Sequence, residues 1–344
     1  MAYTTINKSS EHFNTVTYTG NGLGTRAVTG VGFQPDLVWI KGRSVAEHHN
    51  LYDAIRGATK PIYTNLNYAE ATVANSLKSF GGDGFTISDN AYIGQNNATY
   101  ASWNWKANGT GSANTVGSIN STVSVNTTSG FSIVSYTGTG SAATIGHGLG
   151  VSPACIIIKN TSDSGGVDWF VYHQSTGATN RTKLNQTVAS ATSSFINNTT
   201  PSPTVFNTEG GGASGVNANN YIAYCFAEKQ GFSKFGSYVG NGSTNGTFIY
   251  TGFSPAFIMV KRTDSTSDWT IFDNKRPGYN LINKALYPNG EWAEGTGDAL
   301  DFTSNGFKWR VNSSAYNGSG GDYIYMAFAE APLVGTNNVP ANAR

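Results

Sequence analysis

The sequence is poor in charged residues and in long apolar runs. Only 12% of its 344 residues are Asp, Glu, Lys or Arg, and 21 basic against 20 acidic residues leave a formal net charge of +1. Nucleic-acid binding and polybasic membrane binding both need a strongly basic surface, so we expect neither. No apolar run approaches the ~20 residues that span a bilayer, so we also expect no membrane insertion. The start of the chain has neither the basic nor the apolar region of a secretory signal, and no signal peptide is expected.

Cysteine is almost absent. The two cysteines, Cys155 and Cys225, both lie in apolar runs that resemble strands. Because cysteine is among the most often buried residue types, two buried free thiols are favoured over a disulfide.

Glycine and aromatic residues are plentiful. The chain has 42 Gly, 18 Phe, 18 Tyr and 7 Trp, and 38% of its residues are hydrophobic. This is enough apolar surface for a large core, so the low charge does not indicate disorder. Gly, Asn, Ser and Thr between short apolar stretches are typical of strands joined by turns.

A threefold internal repeat organises the sequence. Tyr18, Tyr136 and Tyr238 are each followed 17 residues later by a proline, and a lysine follows each proline by six residues. These prolines and lysines are Pro35 and Lys41, Pro153 and Lys159, and Pro255 and Lys261. An aromatic segment closes each unit, beginning at Tyr100, Tyr221 and Tyr323.

The repeat predicts the domain organisation. We place unit one at 11–107, unit two at 131–228 and unit three at 232–330, each about 100 residues long, which is the commonest domain size. Residues 1–10 form an N-terminal arm, 108–130 a linker or extended arm rich in Gly, Ser, Thr and Asn, and 331–344 a C-terminal tail. Only residues 229–231 join units two and three, so these two units should pack together.

Each unit is predicted to be an antiparallel, jelly-roll-like β-sandwich, which makes the protein all-β. Apolar and polar residues alternate in segments such as 131–136 and 307–311. One short helix is predicted to begin at Asn67, with Glu70 completing a capping box. The run after each proline is apolar at four or five successive positions, so that strand should be buried on both faces. We expect a neighbouring unit or subunit to cover it.

No constellation of residues indicates catalysis, a metal or a cofactor, and the protein is predicted not to be an enzyme. Glu291 and Glu294 are the only close acidic pair in a suggestive setting, but nothing fixes the distance between two glycosidase-like carboxylates. The neighbours His48 and His49 have no further ligand at zinc spacing.

The recurring charges are predicted to be structural. Asp53 with Arg56 and Asp273 with Arg276 should brace a loop, with His173 near the corresponding place in unit two. The strand-end Glu228 and Glu330 are candidate partners for the recurring lysines, and Trp169 and Trp269 are expected to fill the core.

Four loop aromatics of unit three are candidates for binding a glycan. Aromatic rings stack on the apolar faces of pyranoses while neighbouring amides bind the hydroxyls. The candidates are Tyr279, Tyr287, Trp292 and Tyr316.

The repeated motifs resemble those of virion structural proteins, often described as tail-fibre-like, from tailed phages of cyanobacteria and other aquatic bacteria. The motifs are Phe-x-x-x-x-Tyr-Thr-Gly at 13–20 and 131–138, Gly-Phe-x-Pro with an apolar run and lysine at 32–41 and 252–261, and the closing Tyr-x-x-x-x-Phe-Ala-Glu at 221–228 and 323–330. The resemblance covers nearly the whole chain outside the linker and the tail. Unit one departs from it with Trp103-Asn-Trp105-Lys at its end, and unit two has Gly150-Val-Ser before Pro153.

The resemblance implies a protein made in the host cytoplasm and assembled into the virion. The first hypothesis is a homotrimeric tail-fibre, spike or adaptor protein that contacts other virion proteins and whose loops touch a host-surface glycan. The alternatives are a capsid decoration protein that stabilises the shell and, lower, an enzyme that degrades surface polysaccharide. The doubly buried strands favour an oligomer.

Overall fold

The protein is built almost entirely of β-strands. We describe residues 3–332 of a computed structural model, in which strands account for 43% and helices for 2%. The helical elements are a 3-10 turn at Ser9–Glu11 and one helix, α1, at Ala91–Gly94. The predicted all-β class is confirmed. Between residues 3 and 332 no helix is long and apolar enough to cross a membrane.

Unit one is a sandwich of two antiparallel sheets. Its eight strands are β1 Phe13–Thr19, β2 Arg26–Thr29, β3 Leu37–Gly42, β4 Asn50–Asp53, β5 Ile62–Tyr63, β6 Leu77–Gly81, β7 Gly84–Ile87 and β8 Thr99–Trp105. The main sheet has the order β1-β8-β3-β4-β5, and the outer sheet has the order β2-β7-β6.

Unit two is joined by two strands from the segment predicted to be a linker or extended arm. The strands are β9 Ser112–Asn114, β10 Ser121–Asn126, β11 Phe131–Thr137, β12 Ala143–Gly146, β13 Cys155–Asn160, β14 Phe170–His173, β15 Asn180–Lys183, β16 Ala191–Thr192, β17 Val205–Thr208 and β18 Asn220–Phe226. The main sheet has the order β16-β15-β14-β13-β18-β11-β10-β9, and β12 pairs with β17 in the outer sheet. Residues 108–130 therefore extend the main sheet of unit two.

Unit three repeats the two-sheet arrangement. Its strands are β19 Ser233–Val239, β20 Phe248–Tyr250, β21 Phe253–Arg262, β22 Trp269–Asp273, β23 Ile282–Ala285, β24 Gly295–Thr303, β25 Gly306–Trp309 and β26 Asp322–Pro332. The main sheet has the order β19-β26-β21-β22, and the outer sheet has the order β20-β25-β24-β23.

The same strand order recurs at the centre of all three main sheets. The first strand pairs with the closing strand, the closing strand with the strand after the proline, and that strand with the next one. Equivalent tyrosines face each other across the first pairing and stack, with ring centroids 4.9 to 5.1 Å apart. These pairs are Tyr18 with Tyr100, Tyr136 with Tyr221, and Tyr238 with Tyr323.

The three main sheets face one another across a shared central core. Each sandwich also has its own core between its two sheets. The central core draws on all three units and is rich in aromatic rings, among them Phe13, Trp103, Trp105, Trp169, Tyr224, Phe226, Phe257, Trp269 and Phe328. The strand after each proline is buried between the two cores, so the predicted covering neighbour is confirmed and lies in the same chain.

The recurring lysines join the units in a ring. Lys41 donates from Nζ to the Glu291 carbonyl of unit three, at 3.1 Å. Lys159 donates to the Asn67 carbonyl of unit one at 3.1 Å, and Lys261 to the Thr187 carbonyl of unit two at 2.9 Å. Unit three thus binds a loop of unit two, unit two binds a loop of unit one, and unit one binds a loop of unit three, which closes the ring.

The predicted partners of these lysines are wrong. Glu228 pairs with Lys234 at 3.2 Å and Glu330 with Lys275 at 3.1 Å. The recurring lysines are buried, and burial lowers the pKa of each to about 8, although nearby carboxylates oppose this shift. The ammonium groups of these lysines lie inside the contact between two units, which we call a seam. Backbone carbonyls can reach them there, whereas the carboxylates at the strand ends cannot.

The predicted ion-pair braces are confirmed, and they also join units. Arg276 Nε lies 2.6 Å from Asp273 Oδ2, and both side chains are fully buried. The same carboxylate accepts a hydrogen bond of 3.0 Å from the Trp103 indole of unit one. In the equivalent place of unit one, Asp53 binds Arg56 and accepts from the Tyr224 hydroxyl of unit two at 2.7 Å.

The described residues of the N-terminal arm and of the C-terminal tail pack against the rest of the fold. Ile6 of the N-terminal arm is buried in the central core, and the Tyr3 hydroxyl donates to the Gly252 carbonyl at 2.8 Å. Ala331 and Pro332, the first residues of the predicted tail, continue β26. Residues 1–2 and 333–344 lie outside the described part of the chain.

The prediction of a helix beginning at Asn67 is wrong, because this segment forms contacts between units one and two instead. Glu70 donates from its backbone N–H to the Thr161 carbonyl of unit two, and its carboxylate binds Arg56 and Lys60. These tertiary bonds replace the local capping that the sequence pattern indicates.

Both cysteines are free and buried, as predicted. They lie on neighbouring strands but on opposite faces of the main sheet, Cys155 in the central core and Cys225 in the core of unit two. Burial raises the pKa of both thiols.

Candidate functional site

The four predicted glycan-binding aromatics do not form one surface. Tyr279 and Trp292 are 86% and 53% exposed, Tyr287 is half-buried, and Tyr316 is 2% exposed. Tyr316 belongs to the core of unit three, where its ring stacks on Trp309 at 5.0 Å, so it cannot face a ligand. Tyr279 precedes β23 and Tyr287 follows it, so the two lie at opposite ends of that strand.

Tyr287 and Trp292 form an aromatic pair in the loop between β23 and β24. Their rings meet edge to face with centroids 5.7 Å apart. The Trp292 ring also lies against the backbone of Gly290, where an added Cβ would come within 2.1 Å of the ring. Glycine is therefore required for this close approach, and the Gly290 backbone and the Tyr287 ring together position the indole.

The loop crosses the seam between units one and three. Its Glu294 carboxylate binds Arg43 of unit one at 2.9 Å and Arg276 of unit three at 3.1 Å. Burial alone would raise the pKa of Glu294, but the two guanidinium groups outweigh it and hold the pKa below its ordinary value. Two arginines from different units thus fix this end of the loop.

Glu291 brings a second carboxylate to the surface of the seam. Its side chain is 61% exposed, and Oε2 lies 3.7 Å from Nδ1 of His48 in unit one. Burial lowers the pKa of His48, although Glu291 acts in the opposite direction. At neutral pH the imidazole is therefore largely uncharged and does not neutralise the Glu291 carboxylate.

Two tyrosines of unit one surround His48. The Tyr63 ring centroid lies 5.1 Å from that of His48, and the Tyr92 centroid lies 5.5 Å from it. Asn65 Nδ2 is 2.9 Å from His48 Nδ1 and helps to fix the orientation of the ring. We call the surface made by the two sides the 1–3 seam surface; it consists of His48, Tyr63, Tyr92, Tyr287, Glu291 and Trp292.

Sequence reasoning found Tyr287 and Trp292 but missed the unit-one side. Comparison of the three units does mark His48 as unusual. Asn65, Asn185 and Asn289 are equivalent, because the Oδ1 of each accepts a hydrogen bond from the backbone N–H at the start of the corresponding strand. Asn185 and Asn289 bind Asp168 and Asp268, whereas Asn65 meets His48. A histidine at a position that is otherwise aspartate marks this seam as different from the other two.

The histidine pair diverges, as its adjacency in the sequence predicts. His48 lies at the surface, whereas His49 is fully buried against Trp39 and Trp103, and burial holds the pKa of His49 well below its ordinary value. Within residues 3–332 no group of three His, Cys, Asp or Glu side chains is placed to hold a metal ion.

A family model described as a domain of unknown function, DUF7483, matches residues 8–332. No curated protein matches the chain significantly.

Proposed function

The chain belongs to the DUF7483 family, whose function is unknown, and on that premise we propose that it is a non-enzymatic structural protein of a bacteriophage virion. Within the virion, we assign it to a tail fibre, a spike or an adaptor.

The closed ring of three sandwiches is the observation that carries this proposal. Each unit donates from a buried lysine to a carbonyl of a neighbouring unit, and the three main sheets share one core. Such a body has few ways to open or close around a substrate, since each unit is held on two sides. A rigid body of this kind suits a structural component that holds other proteins of an assembly in fixed positions.

The motifs that resemble virion proteins are also the residues that build the ring. The tyrosines of the first strand stack on those of the closing strand, and the lysine after each proline bonds a neighbouring unit. A resemblance carried by architectural residues supports a shared architecture and, through it, a shared structural role. Three units about one centre also match a partner with threefold symmetry.

The homotrimer stays a prediction, but the structure removes the observation from which it was made. It rested on strands buried on both faces, which the units of a single chain already cover. Analytical ultracentrifugation separates the cases: a mass of three chains would support a fibre-like trimer, and the single-chain mass of 36.4 kDa would mean that the threefold arrangement lies within one chain.

Locating the chain in purified virions tests the proposal. We expect labelled antibodies and cryo-electron microscopy to place it at the tail. Density on the capsid shell would instead identify a decoration protein, and absence from purified particles would overturn a virion role. Release of reducing ends from host polysaccharide by the purified chain would overturn the non-enzymatic assignment.

A further inference from the structure

We propose that the 1–3 seam surface binds a neutral saccharide, with Trp292 as the stacking platform and Glu291 as the hydroxyl acceptor. This deepens the proposed function, on which its biological setting rests, because a virion protein of the tail meets the glycans of its host.

Trp292 is already ordered for stacking. One part of its ring lies on Gly290 and the ring meets that of Tyr287 edge to face, while 53% of the residue stays exposed. A platform held in its bound position loses little conformational entropy on binding. Aromatic faces are also the surfaces against which the C–H face of a sugar packs.

Polar groups lie beside the platform. Glu291 follows Gly290 and precedes Trp292, and its carboxylate is 61% exposed and meets His48 at 3.7 Å. An ionised carboxylate accepts hydroxyl hydrogen bonds that are stronger than neutral ones. Tyr63 and Tyr92, around His48, add aromatic surface on the other side of the seam.

The charge of the surface selects against acidic sugars. His48 is largely neutral at physiological pH, and Glu294, the other carboxylate of the loop, is occupied by Arg43 and Arg276. The negative charges at this surface are therefore those of Glu291 and of the half-buried Glu47, which lies close enough for the two carboxylates to repel each other. A uronic or sialic acid would bring a like charge to them, whereas a neutral hexose would not.

The other two seams lack this combination. At the places equivalent to His48, Asp168 is engaged by Lys183 at 2.6 Å and Asp268 by Asn289 at 2.6 Å. The matching loop of unit one does expose an aromatic residue, Tyr68, but it makes no ring contact within residues 3–332. Tyr68 is therefore a matched control for non-specific contact between sugar and an exposed ring.

The tryptophans provide a direct readout. The chain has seven, and the six others, Trp39, Trp103, Trp105, Trp169, Trp269 and Trp309, are 4% exposed or less. Acrylamide quenching of the purified full-length chain should therefore report on Trp292. We expect neutral oligosaccharides of glucose, galactose or N-acetylglucosamine, at about 10 mM, to reduce this quenching severalfold, in line with the weak millimolar affinities of small sites. Oligogalacturonate should not.

Variants separate the site from its surroundings, with binding measured by saturation-transfer NMR. Trp292→Ala should weaken binding of the protecting sugar by about tenfold or more, as for an aromatic hot spot. Glu291→Gln should weaken it less, and Tyr68→Ala should leave it unchanged; circular dichroism confirms that each variant folds.

Three results would overturn the inference: no protection by any of the neutral sugars, binding that survives Trp292→Ala, or preference for oligogalacturonate. Because the assay uses the purified chain, a negative result leaves the virion assignment intact. Absence of the chain from virions would likewise leave a positive binding result standing.

Discussion

Apart from Asp36, the buried Asp, Lys and Arg side chains of residues 3–332 lie where two units meet. Asp273 accepts hydrogen bonds from Arg276 and from Trp103 of another unit, and Arg276 also reaches Glu294. Each of these groups has lost its water, so each depends on its protein partners. A single side chain therefore supports both a loop and a seam.

Removing Asp273 should destabilise the protein strongly. Asp273→Ala leaves the fully buried Arg276 with only Glu294 as a charged partner and orphans the Trp103 indole. We expect a loss of about 3–5 kcal/mol in the free energy of unfolding, measured by urea denaturation. The control is Glu11→Ala, whose surface pair with Lys8 should be worth less than about 0.5 kcal/mol. Similar losses in both variants would contradict this account.

His173 should make the protein sensitive to acid. Its Nε2 donates to the Tyr325 carbonyl of unit three, Nδ1 accepts from the Ser175 N–H, and burial lowers its pKa to about 4. The unfolded chain has the ordinary pKa of about 6.5 and so binds more protons between pH 6.5 and 4. Stability from this group is therefore complete above pH 6.5 and falls by about 3 kcal/mol as the pH drops to 4.

The comparison that isolates this effect uses His173→Gln, which does not titrate. The stability advantage of the wild type over the variant should shrink between pH 6.5 and 4, as followed by urea unfolding at each pH. An advantage that stays constant across this range would mean that another group carries the acid sensitivity.

At the scale of the element, one strand distinguishes unit two from its neighbours. β10 pairs with the edge of β11, while β1 and β19 occupy the edges of their own sheets. The burial pattern follows this difference, since β11 is buried at four successive positions and β1 and β19 alternate. The linker thus protects an edge that would otherwise be open to pairing.

Hydrogen exchange should report this pairing at equivalent serines. Ser135 of β11 is paired with Thr122 of β10. Ser237 lies on β19, an edge strand, and the alternation of the β19–β26 ladder turns its N–H away from β26, to the side where the described sheet has no further strand. We expect the Ser135 amide to exchange at least about a hundredfold more slowly, since it must wait for local opening. Equal rates would show that residues 121–126 behave as a free linker.

Contacts between units also explain why one local sequence pattern, the capping pattern that predicted a helix, was misleading. The segment 67–76 has a capping pattern, but its backbone bonds unit two through Glu70 and Thr161. Loop residues of this kind carry no periodicity that reveals their partners, because those partners come from another unit.

At the scale of the whole molecule, the shared core makes the three units interdependent. Removing any one unit would expose the central faces of the other two, including Trp103, Tyr224 and Phe257. Units of about 100 residues that share apolar surface in this way should not unfold separately.

We therefore expect one cooperative unfolding transition. The free thiols give two local probes, since Cys155 lies in the central core and Cys225 in the core of unit two. Both should become reactive to a thiol reagent at the same urea concentration, and the calorimetric and van 't Hoff enthalpies should agree within about 10–15%. Separate transitions for the two thiols would indicate independent domains.

Local chemistry determined much of this protein from its sequence alone. Alternation and turn residues indicated the all-β class, the unbroken apolar runs indicated strands covered on both faces, and the spacing of Asp and Arg indicated the braces at 53–56 and 273–276. These inferences succeeded because each depends on neighbours along one strand or one turn.

Tertiary structure decided what those elements meet. The recurring lysines found carbonyls of the next unit rather than strand-end carboxylates, Tyr316 was buried by Trp309, and His48 was brought to Glu291 across a seam. Tyr316 is buried by the core of its own unit. For the lysines and for His48 the physical reason is that three sheets with one apolar face each can hide it only against one another, and that closure brings together residues of different units that are far apart in the sequence.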